Sequence, residues 1–277
     1  MVNREIENGD YKQFSAFLER QCGIVLGENK QYLVKSRLAP LARQHSFDSV
    51  TTLINKVVNG MDRQLRAQVV DAMTTNETLW FRDIYPFDLL RNELFAKFAA
   101  NRKQLRIWSA ACSSGQEPYS IAMSLLEFQK TKPGTFGGGV QIIGTDISAD
   151  MLGRCEAARY DSLALSRGLS EQRRNEFFQA HVDGTYEIKP NVKKLVSFRP
   201  FNLLDSYASL GRFDIVFCRN VLIYFSAEVK MKILQQIAAS LQPGGILFLG
   251  ASESISGVSD LFSMVRCNPG LYYLKKD

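Results

Sequence analysis

Apolar residues in the first 75 positions recur at the spacing of helices. A first stripe runs from Tyr11 to Leu18 and ends at Cys22-Gly23, because glycine commonly follows the last turn of a helix. Similar stripes predict further helices at Glu28–Gln44, at Asp48–Val58 and from Asp62 onward. The pattern therefore predicts that residues 1–75 form a small all-α domain.

From about residue 104 onward, short apolar segments alternate with amphipathic ones. The amphipathic segments predict helices at 117–128 and 229–241, and the apolar segments predict strands at 105–108, 140–144, 213–218 and 246–250. Alternation of this kind is typical of an α/β fold, in which a doubly wound, mostly parallel sheet has helices on both faces.

The segment from about 160 to 200 interrupts this alternation. Asp183-Gly184 lies between the apolar segments Phe177-Phe178 and Thr185–Ile188, as in a hairpin with a minimal two-residue turn. We therefore expect a small antiparallel β insert at this place. The predicted domains are a helical one (1–75), a linker with a first helix (76–103) and a larger one (104–277) that carries the insert at about 160–200.

The composition is that of an ordinary globular protein, with 45% hydrophobic and 22% charged residues. No apolar run approaches the ~20 residues of a membrane span, and the polar N-terminus predicts a cytoplasmic protein without membrane insertion. Two histidines and five cysteines, without a Cys-x-x-Cys pair, disfavour a metal site and a disulfide framework. The net charge of +6 favours an acidic partner, although a charge of this size also serves solubility alone.

Candidate binding residues follow the predicted strands, where doubly wound sheets bind ligands. After the first strand, the segment from Ser109 to Glu117 is rich in small residues but lacks the Gly-x-Gly-x-x-Gly pattern of nicotinamide enzymes. After the second strand, Asp146 is placed to accept hydrogen bonds from both hydroxyls of a ribose. Alternatively Asp146 caps the next helix, a role that suits Ser148 better. A neutral turn, a ribose-binding acid and the Glu117 carboxylate favour an adenosine that carries a sulfonium rather than phosphates.

A later strand end, from Phe201 to Leu204, extends this predicted pocket. The amide of Asn202 suits the hydrogen-bonding edge of adenine, and the apolar Leu203 suits its face. Gly244-Gly245, before the last predicted strand, is a turn of many class I methyltransferases and is weak evidence by itself.

Four segments of the chain form a more specific pattern when they are taken in order: Thr74–Arg82, Trp108–Ser120, Phe217–Phe225 and Gly250–Ser254. They resemble those of the CheR-type chemotaxis-receptor glutamate methyltransferases, and the resemblance covers nearly the whole chain. It implies a Rossmann-like class I methyltransferase domain that follows a small all-α domain and carries a small β-subdomain. It also implies S-adenosylmethionine as the cofactor, S-adenosylhomocysteine as the product and no metal.

By that resemblance, the methyl acceptor is a glutamate side chain on the cytoplasmic domain of a chemotaxis receptor. Arg82 and Tyr224 are expected to orient its carboxylate beside the methyl group. Alternatively, Arg82 forms a surface ion pair with Asp83 or Glu93, and Tyr224 is a core aromatic residue. The residues expected to bind the cofactor are Asn76, Thr78, Arg82, Glu117, Asp146, Asn202, Leu203, Arg219 and Asn220.

The predicted second helix carries basic residues and no acidic one between Asn29 and His45. Positions 30 and 37 fall on one helical face at ~3.6 residues per turn, whereas Lys35 and Arg43 point elsewhere. Beside an acidic receptor helix bundle, this face is expected to be a docking surface, although it is alternatively an ordinary solvated face. The predicted docking residues are Lys30, Lys35, Arg37 and Arg43.

The short predicted hairpin also affects the prediction of how the receptor is recognised. Some members of the family bind a C-terminal receptor pentapeptide at the edge of the β-subdomain, and a tight turn leaves little room for such a tether. We therefore expect that no tether is required, and we expect a monomer. The chain lacks the Asn/Asp-Pro-Pro-Tyr/Phe element of many amino methyltransferases, which disfavours nucleic acid as the substrate. Another acidic protein or a small molecule as the substrate, or a non-catalytic cofactor-sensing scaffold, stays open.

Overall fold

The computed structural model describes residues 6–101 and 104–276, and the chain folds into two compact units. The smaller unit comprises the described part of Met1–Thr75 together with Tyr224–Val229. The larger unit comprises Asn76–Ile223 and Lys230–Asp277, as far as they are described, and contains both β-sheets. The predicted end of the linker at residue 103 lies outside the described residues.

The smaller unit is helical, as its apolar stripes predict. Its helices are α1 (Asn8–Cys22), α2 (Gln31–Gln44), α3 (Val50–Asn59) and α4 (Arg63–Met73). Phe14, Leu38 and Leu53 are fully buried, which explains the apolar spacing of three to four residues along each helix. Gly23 ends α1 in the left-handed conformation (φ 79°), and its N–H donates to the Glu19 carbonyl.

A seven-stranded sheet forms the centre of the larger unit. Its strands are β1 (Leu105–Ala110), β2 (Val140–Asp146), β6 (Val196–Pro200), β7 (Phe213–Cys218), β8 (Leu241–Leu249), β9 (Phe262–Arg266) and β10 (Leu271–Lys275). They are ordered β6-β2-β1-β7-β8-β10-β9; β10 is antiparallel to both of its neighbours, and the other adjacent pairs are parallel. The prediction of a mostly parallel sheet is confirmed.

Helices precede and connect these strands and complete the core. They are α5 (Tyr85–Leu89), which continues through a π-helical turn (Leu90–Leu94) into α6 (Phe95–Asn101), then α7 (Gln116–Thr131), α8 (Ala149–Ala157) and α12 (Ala227–Ser240). The Phe217 ring contacts Phe248, with 4.7 Å between centroids, and Phe87, with 6.0 Å. All three are buried, and burial of one such side chain stabilises the fold by about 1.5–3 kcal/mol. This packing fixes the position of the strand ends.

The insert between β2 and β6 is a second, three-stranded antiparallel sheet, as predicted. It contains β3 (Arg159–Tyr160), β4 (Phe178–Ala180) and β5 (Tyr186–Ile188), with α9 (Ser162–Ser166), α10 (Glu171–Phe177) and α11 (Pro190–Lys193). Its predicted end near residue 200 is wrong, because Val196–Pro200 pairs with β2 as a strand of the main sheet. That strand lies at the sheet edge and its residues are half-buried or exposed, so it lacks the apolar run of an inner strand.

The hairpin between β4 and β5 differs from the minimal two-residue turn that the sequence suggests. His181 N–H donates to the Thr185 carbonyl (2.8 Å), and Gly184 N–H donates to the His181 carbonyl (3.1 Å). Three residues therefore separate the paired positions, and Gly184 closes the loop with a φ of 79°. Asp183 also accepts a hydrogen bond from Thr185 N–H (3.1 Å), so Asp183-Gly184 forms the second half of a longer turn.

An ionic cluster joins the insert to α7. Glu127 accepts hydrogen bonds from Arg173 Nε (2.7 Å) of α10 and from Arg91 Nη1 (2.9 Å). The Arg173 guanidinium also lies over the Phe81 ring, 3.7 Å from its centroid. Burial alone raises the pKa of the Glu127 carboxyl, but the two arginines outweigh burial and hold this pKa below its usual range.

The lowered pKa of Glu127 predicts how stability depends on pH. Because the folded-state pKa lies below the unfolded-state value of about 4.5, ionised Glu127 stabilises the fold above that pH, and this contribution is lost as the pH falls. We expect the free energy of unfolding, measured with urea from neutral to acidic pH, to fall less steeply in Glu127→Gln than in the wild type. Glu171→Gln alters an exposed pair with Arg174 and should keep the wild-type slope. Equal slopes for Glu127→Gln and the wild type would contradict the prediction.

Candidate active site

The predicted binding residues follow neighbouring parallel strands. The chain runs outward from β1 through β2 to β6 and then returns to β7 on the other side of β1. The strand order therefore reverses between β1 and β7, and doubly wound sheets bind ligands at such a point. The ends of these strands and the segments that follow them carry Glu117, Asp146, Asn202, Arg219 and Asn220.

The turn after β1 has an unusual backbone. Ala111 and Ser113 are left-handed, with φ of 55° and 50°, and Gly115 follows with a φ of 93° just before α7 begins. A Cβ at Gly115 would lie 3.1 Å from Cys155 Sγ and 3.2 Å from Tyr160 Oη, which leaves too little space for a side chain. The small residues noted in the sequence thus allow a tight turn at the end of the strand.

Asp146 ends β2 and is buried, with 5% of its surface exposed. Its carboxylate accepts hydrogen bonds from the backbone N–H of Ser113 (2.7 Å) and of Ser148 (2.9 Å). The cap of α8 is Ser148, whose hydroxyl accepts from Met151 N–H at 3.1 Å. Ser148 thus caps the helix, and the Asp146 carboxylate joins two turns at the end of the sheet where a ribose-binding acid is predicted.

The start of the linker belongs to the same group of residues. The Ser113 hydroxyl donates to the Asn76 carbonyl (3.0 Å), and Thr78 is half-buried two residues further on. Asn76, Ser113 and Asp146 therefore form a contiguous set of contacts, although these residues lie far apart in the sequence.

Asn202 and Leu203 form the turn that follows β6. The Asn202 side-chain oxygen accepts a hydrogen bond from Leu204 N–H (3.1 Å), and Leu203 is buried. The hydroxyl of Tyr207 donates to the Leu203 carbonyl at 3.0 Å. The turn is therefore held by its own side chains, and its role toward adenine stays a prediction.

Glu117 and Arg219 bind each other. Arg219 Nη1 donates to one carboxylate oxygen of Glu117 (3.0 Å), and the Ser109 hydroxyl donates to the other (2.7 Å). Burial raises the pKa of the Glu117 carboxyl, and the charge of Arg219 offsets part of this effect. The sequence predicts that the Glu117 carboxylate faces a sulfonium. In the structure this carboxylate is paired with Arg219, because a buried charge requires a partner.

Arg219 also binds the linker. Its Nη2 donates to the Asp83 carboxylate (2.6 Å) and to the Arg82 carbonyl (2.9 Å). Only 1% of its side chain is exposed, and its Nε has no hydrogen-bond partner within the described residues. The guanidinium therefore joins the linker, the start of α7 and the turn after β7. Sequence reasoning did not single out Asp83 for this contact.

Arg82 lies in a strained turn. The positive φ values beside it are rare outside glycine: Phe81 (49°), Asp83 (66°) and Ile84 (55°). The alternative in which Arg82 pairs with Asp83 is wrong, because the carboxylate of Asp83 binds Arg219. Arg82 is half-buried, and its guanidinium makes a long hydrogen bond to the Glu77 carbonyl (3.4 Å). Within residues 6–101 and 104–276, no carboxylate forms an ion pair with it.

The insert holds the same linker from another direction. Trp80 N–H donates to the Arg167 carbonyl (3.0 Å), and the Arg167 side chain forms an ion pair with Glu77. The buried Trp80 ring lies edge-on to Tyr160 and Phe178, with centroids 4.9 Å and 5.3 Å away. The linker is therefore fixed by the insert as well as by the turn after β7.

Glu253 is a residue that sequence reasoning missed. Its carboxylate accepts hydrogen bonds from the backbone N–H of Asn220 (2.8 Å), Leu222 (2.8 Å) and Gly250 (2.7 Å). Asn220 is left-handed, with a φ of 59°. Glu253 lies within the Gly250–Ser254 part of the family pattern, but no helical or strand periodicity assigns a role to a carboxylate in a loop.

Tyr224 belongs to the smaller unit, through the segment Tyr224–Val229. It ends a 3-10 helix (Leu222–Tyr224), and its carbonyl accepts a hydrogen bond from Val25 N–H (2.9 Å). Tyr224 is half-buried rather than buried, which does not support the alternative of a core aromatic residue.

The basic residues of the second helix differ in their surroundings. Arg37 donates to the Met73 carbonyl, to the Thr74 carbonyl (3.1 Å) and to the Thr75 hydroxyl (2.8 Å). It therefore binds the C-terminal end of α4, where carbonyl groups attract a cation. This contact stabilises the helical unit and engages Arg37, which was predicted to share a docking face with Lys30.

No helix in the described ranges is long and apolar enough to cross a membrane. The same ranges contain no group of three or more His, Cys, Asp or Glu residues that could hold a metal ion. The five cysteines are free thiols, and four of them are buried.

Two family models match consecutive parts of the chain. The all-alpha domain of the CheR methyltransferases matches residues 9–74, and their SAM-binding domain matches residues 76–271. The chain belongs to the CheR methyltransferase family. The all-alpha domain of the family corresponds to α1–α4, and the SAM-binding domain contains the strand ends described above.

This CheR methyltransferase is similar to named relatives over nearly its full length. It is 59% identical to a chemotaxis protein methyltransferase of Vibrio parahaemolyticus, with 98% of each chain covered. It is 54% identical to chemotaxis protein methyltransferase 1 of Pseudomonas aeruginosa, with 97% of this chain and 98% of the relative covered. The CheR chain is therefore an S-adenosylmethionine-dependent methyltransferase of chemotaxis.

Proposed function

We propose that this CheR methyltransferase methylates glutamate side chains on the cytoplasmic helical region of chemotaxis receptors, which yields the 5-methyl ester and S-adenosylhomocysteine. The proposal rests on the burial and the surroundings of Arg82. Arg82 is half-buried close to the Glu117–Arg219 pair, and no carboxylate of the described residues forms an ion pair with it. A half-buried cation without an ion pair can bind a carboxylate that another molecule supplies.

A glutamate acceptor also agrees with the positions of the histidines. A free glutamate has a pKa of about 4.3, so its side chain is already ionised at neutral pH and needs no general base. His45 is hydrogen-bonded to Gln68 in the helical unit, and His181 is hydrogen-bonded to Glu187 in the insert. Neither histidine belongs to the strand-end group, which supports a reaction that proceeds without a histidine base.

The cofactor, when bound, supplies an electrophilic methyl group on a sulfonium. The residues present fit its adenosine part, because a buried, amide-bound carboxylate at Asp146 and a tight turn without large side chains lie together at the strand ends. We propose as cofactor-binding residues Asn76, Thr78, Arg82, Glu117, Asp146, Asn202, Leu203, Arg219 and Asn220.

Catalysis in this proposal comes mainly from positioning. Holding the acceptor oxygen close to and in line with the methyl carbon is worth up to roughly 7–11 kcal/mol. Arg82 orients the acceptor carboxylate, and Tyr224 is assigned a share of this role from the family resemblance alone. A long or bent contact to Arg82 is favourable, since a tight ion pair would stabilise the ground-state carboxylate.

Label transfer to a receptor fragment tests the proposed function. The full chain is incubated with methyl-labelled S-adenosylmethionine and a receptor cytoplasmic fragment, and the labelled fragment is then treated with base. Esters of carboxylates hydrolyse in base, so we expect the label to be released as methanol and to be absent when the acceptor glutamates are replaced by glutamine. Base-stable label, or no transfer by a chain that binds S-adenosylhomocysteine, would overturn the proposal.

The basic residues at the two ends of α2 predict a salt-sensitive interaction with the receptor. Lys30 and Arg43 are exposed, so reversing both to Glu should raise the KM for the receptor severalfold at low ionic strength, and less as salt screens the charges. The same total charge change at the exposed Lys12 and Arg20 of α1 is the matched control and should leave KM unchanged. An unaltered KM in the Lys30/Arg43 variant would indicate that these residues lie on an ordinary solvated face.

The expectations of a monomer and of tether-independent recognition stay predictions. A minimal hairpin turn no longer supports tether-independent recognition, because five residues join β4 to β5 and three of them lie between the hydrogen-bonded His181 and Thr185. Its remaining support is the basic surface of α2.

A further inference from the structure

The carboxylate of Glu253 joins two loops that leave the sheet side by side. β7 and β8 are parallel neighbours, with Cys218 opposite Leu249 at their ends. Oε2 of Glu253 accepts hydrogen bonds from Gly250 N–H (2.7 Å) and Asn220 N–H (2.8 Å). Its Oε1 accepts from Leu222 N–H (2.8 Å). One side chain therefore satisfies backbone donors of both loops.

The close approach of these loops makes such an acceptor necessary. A Cβ at Gly250 would lie 2.7 Å from Asn220 Nδ2 and 2.9 Å from Asn220 N, so the two backbones meet where only glycine fits. Asn220 holds a left-handed conformation, which asparagine tolerates better than most residues. Backbone N–H groups that converge in this way are unfavourable without an acceptor.

We propose that Glu253 is a positioning residue for methyl transfer. It holds the backbone of Asn220, a proposed cofactor-binding residue, in a single conformation. It also fixes the neighbouring Arg219, whose guanidinium binds Glu117 and the linker that carries Arg82. The inference rests on the proposed cofactor site, and Glu253 acts through Asn220 without touching the cofactor.

Two substitutions test this role. Glu253→Gln replaces one carboxylate oxygen by an amide group that donates, so at least one of the three N–H groups loses its acceptor. Gly250→Ala keeps the glutamate, but its Cβ would lie 2.7 Å from Glu253 Oε2 and 2.9 Å from Asn220 N, so it displaces the carboxylate and forces the loops apart. Because the loss of a hydrogen bond to a charged group corresponds to a factor of about ten or more, and the bonds affected here hold a proposed cofactor-binding residue, we expect each variant to bind S-adenosylhomocysteine at least about tenfold more weakly. The KM for the receptor should stay unchanged.

Calorimetric titration with S-adenosylhomocysteine, together with thermal unfolding of the free protein, decides the outcome. Ser256→Ala removes an exposed hydrogen bond to Ser254 in the same loop and should keep wild-type affinity. A folded Glu253→Gln or Gly250→Ala variant with wild-type affinity would overturn the proposal. So would loss of cooperative unfolding in both variants, which would make the role purely structural. Because this titration needs no receptor, its failure is distinct from a failure of receptor methylation by the wild type.

Discussion

Asp146→Ala is expected to bind S-adenosylhomocysteine about ten- to a hundredfold more weakly than the wild type. Hydrogen bonds to a charged group contribute about 1.5–3 kcal/mol each, and about 1.4 kcal/mol corresponds to a factor of ten. The carboxylate also fixes Ser113 and Ser148, so its loss loosens both turns at the proposed ribose position. Calorimetry on the purified protein measures the change in Kd.

Two further variants separate the ribose contact from general destabilisation. Asp146→Asn keeps one acceptor oxygen without the charge, and an intermediate affinity is expected. Asp150→Ala removes an exposed pair with Arg154 on α8 and should change neither Kd nor the unfolding midpoint. Wild-type affinity in folded Asp146→Ala would exclude the ribose role.

Arg82→Ala is expected to lower kcat on the receptor by about a hundredfold or more, the scale of rate loss for a misplaced reactant. Cofactor affinity should also fall, since Arg82 is among the proposed cofactor residues. Tyr224→Phe should reduce kcat by a larger factor than it reduces affinity for S-adenosylhomocysteine. Steady-state measurement of kcat with a receptor fragment, together with calorimetric Kd values for S-adenosylhomocysteine, distinguishes losses of rate from losses of affinity.

Arg82→Lys tests whether orientation of the carboxylate by the guanidinium matters. Lysine keeps the charge but not the planar guanidinium, so a rate between those of the wild type and Arg82→Ala is expected if orientation matters. Arg167→Ala removes an exposed ion pair of the same linker with Glu77 and serves to measure the effect of loosening the segment. Full kcat in Tyr224→Phe would remove that residue from the proposed chemistry.

Elements with a strong period were predictable from the sequence. The helices of residues 6–75 and the central strands β1, β2 and β7 follow directly from apolar spacing, since one face or both faces are buried. The edge strand β6 was assigned to the insert, because a strand with one unpaired edge and little burial carries no apolar run. The longer hairpin loop was missed because Asp183-Gly184 occurs in more than one turn type.

Residue types at the strand ends were predictable, but their mutual contacts were not. The sequence identifies Glu117 and Arg219 as candidates, yet nothing in it states that they neutralise each other across 102 positions. Arg37 shows the same limit, since the carbonyl groups it binds belong to the end of another helix. Long-range pairs of this kind depend on tertiary packing, which periodicity does not encode.

The insert also supports the linker, which affects how a deletion of the insert should be interpreted. The Arg167 carbonyl binds Trp80, and the Arg173 guanidinium covers Phe81, one residue before Arg82. A chain without the insert would lose these contacts as well as any surface for a receptor segment, so its inactivity would not demonstrate tether docking. A substitution at the fully exposed Val182 on the hairpin tip leaves the linker contacts in place. Docking by the insert and support of the active site are therefore separable by point mutation, but not by truncation.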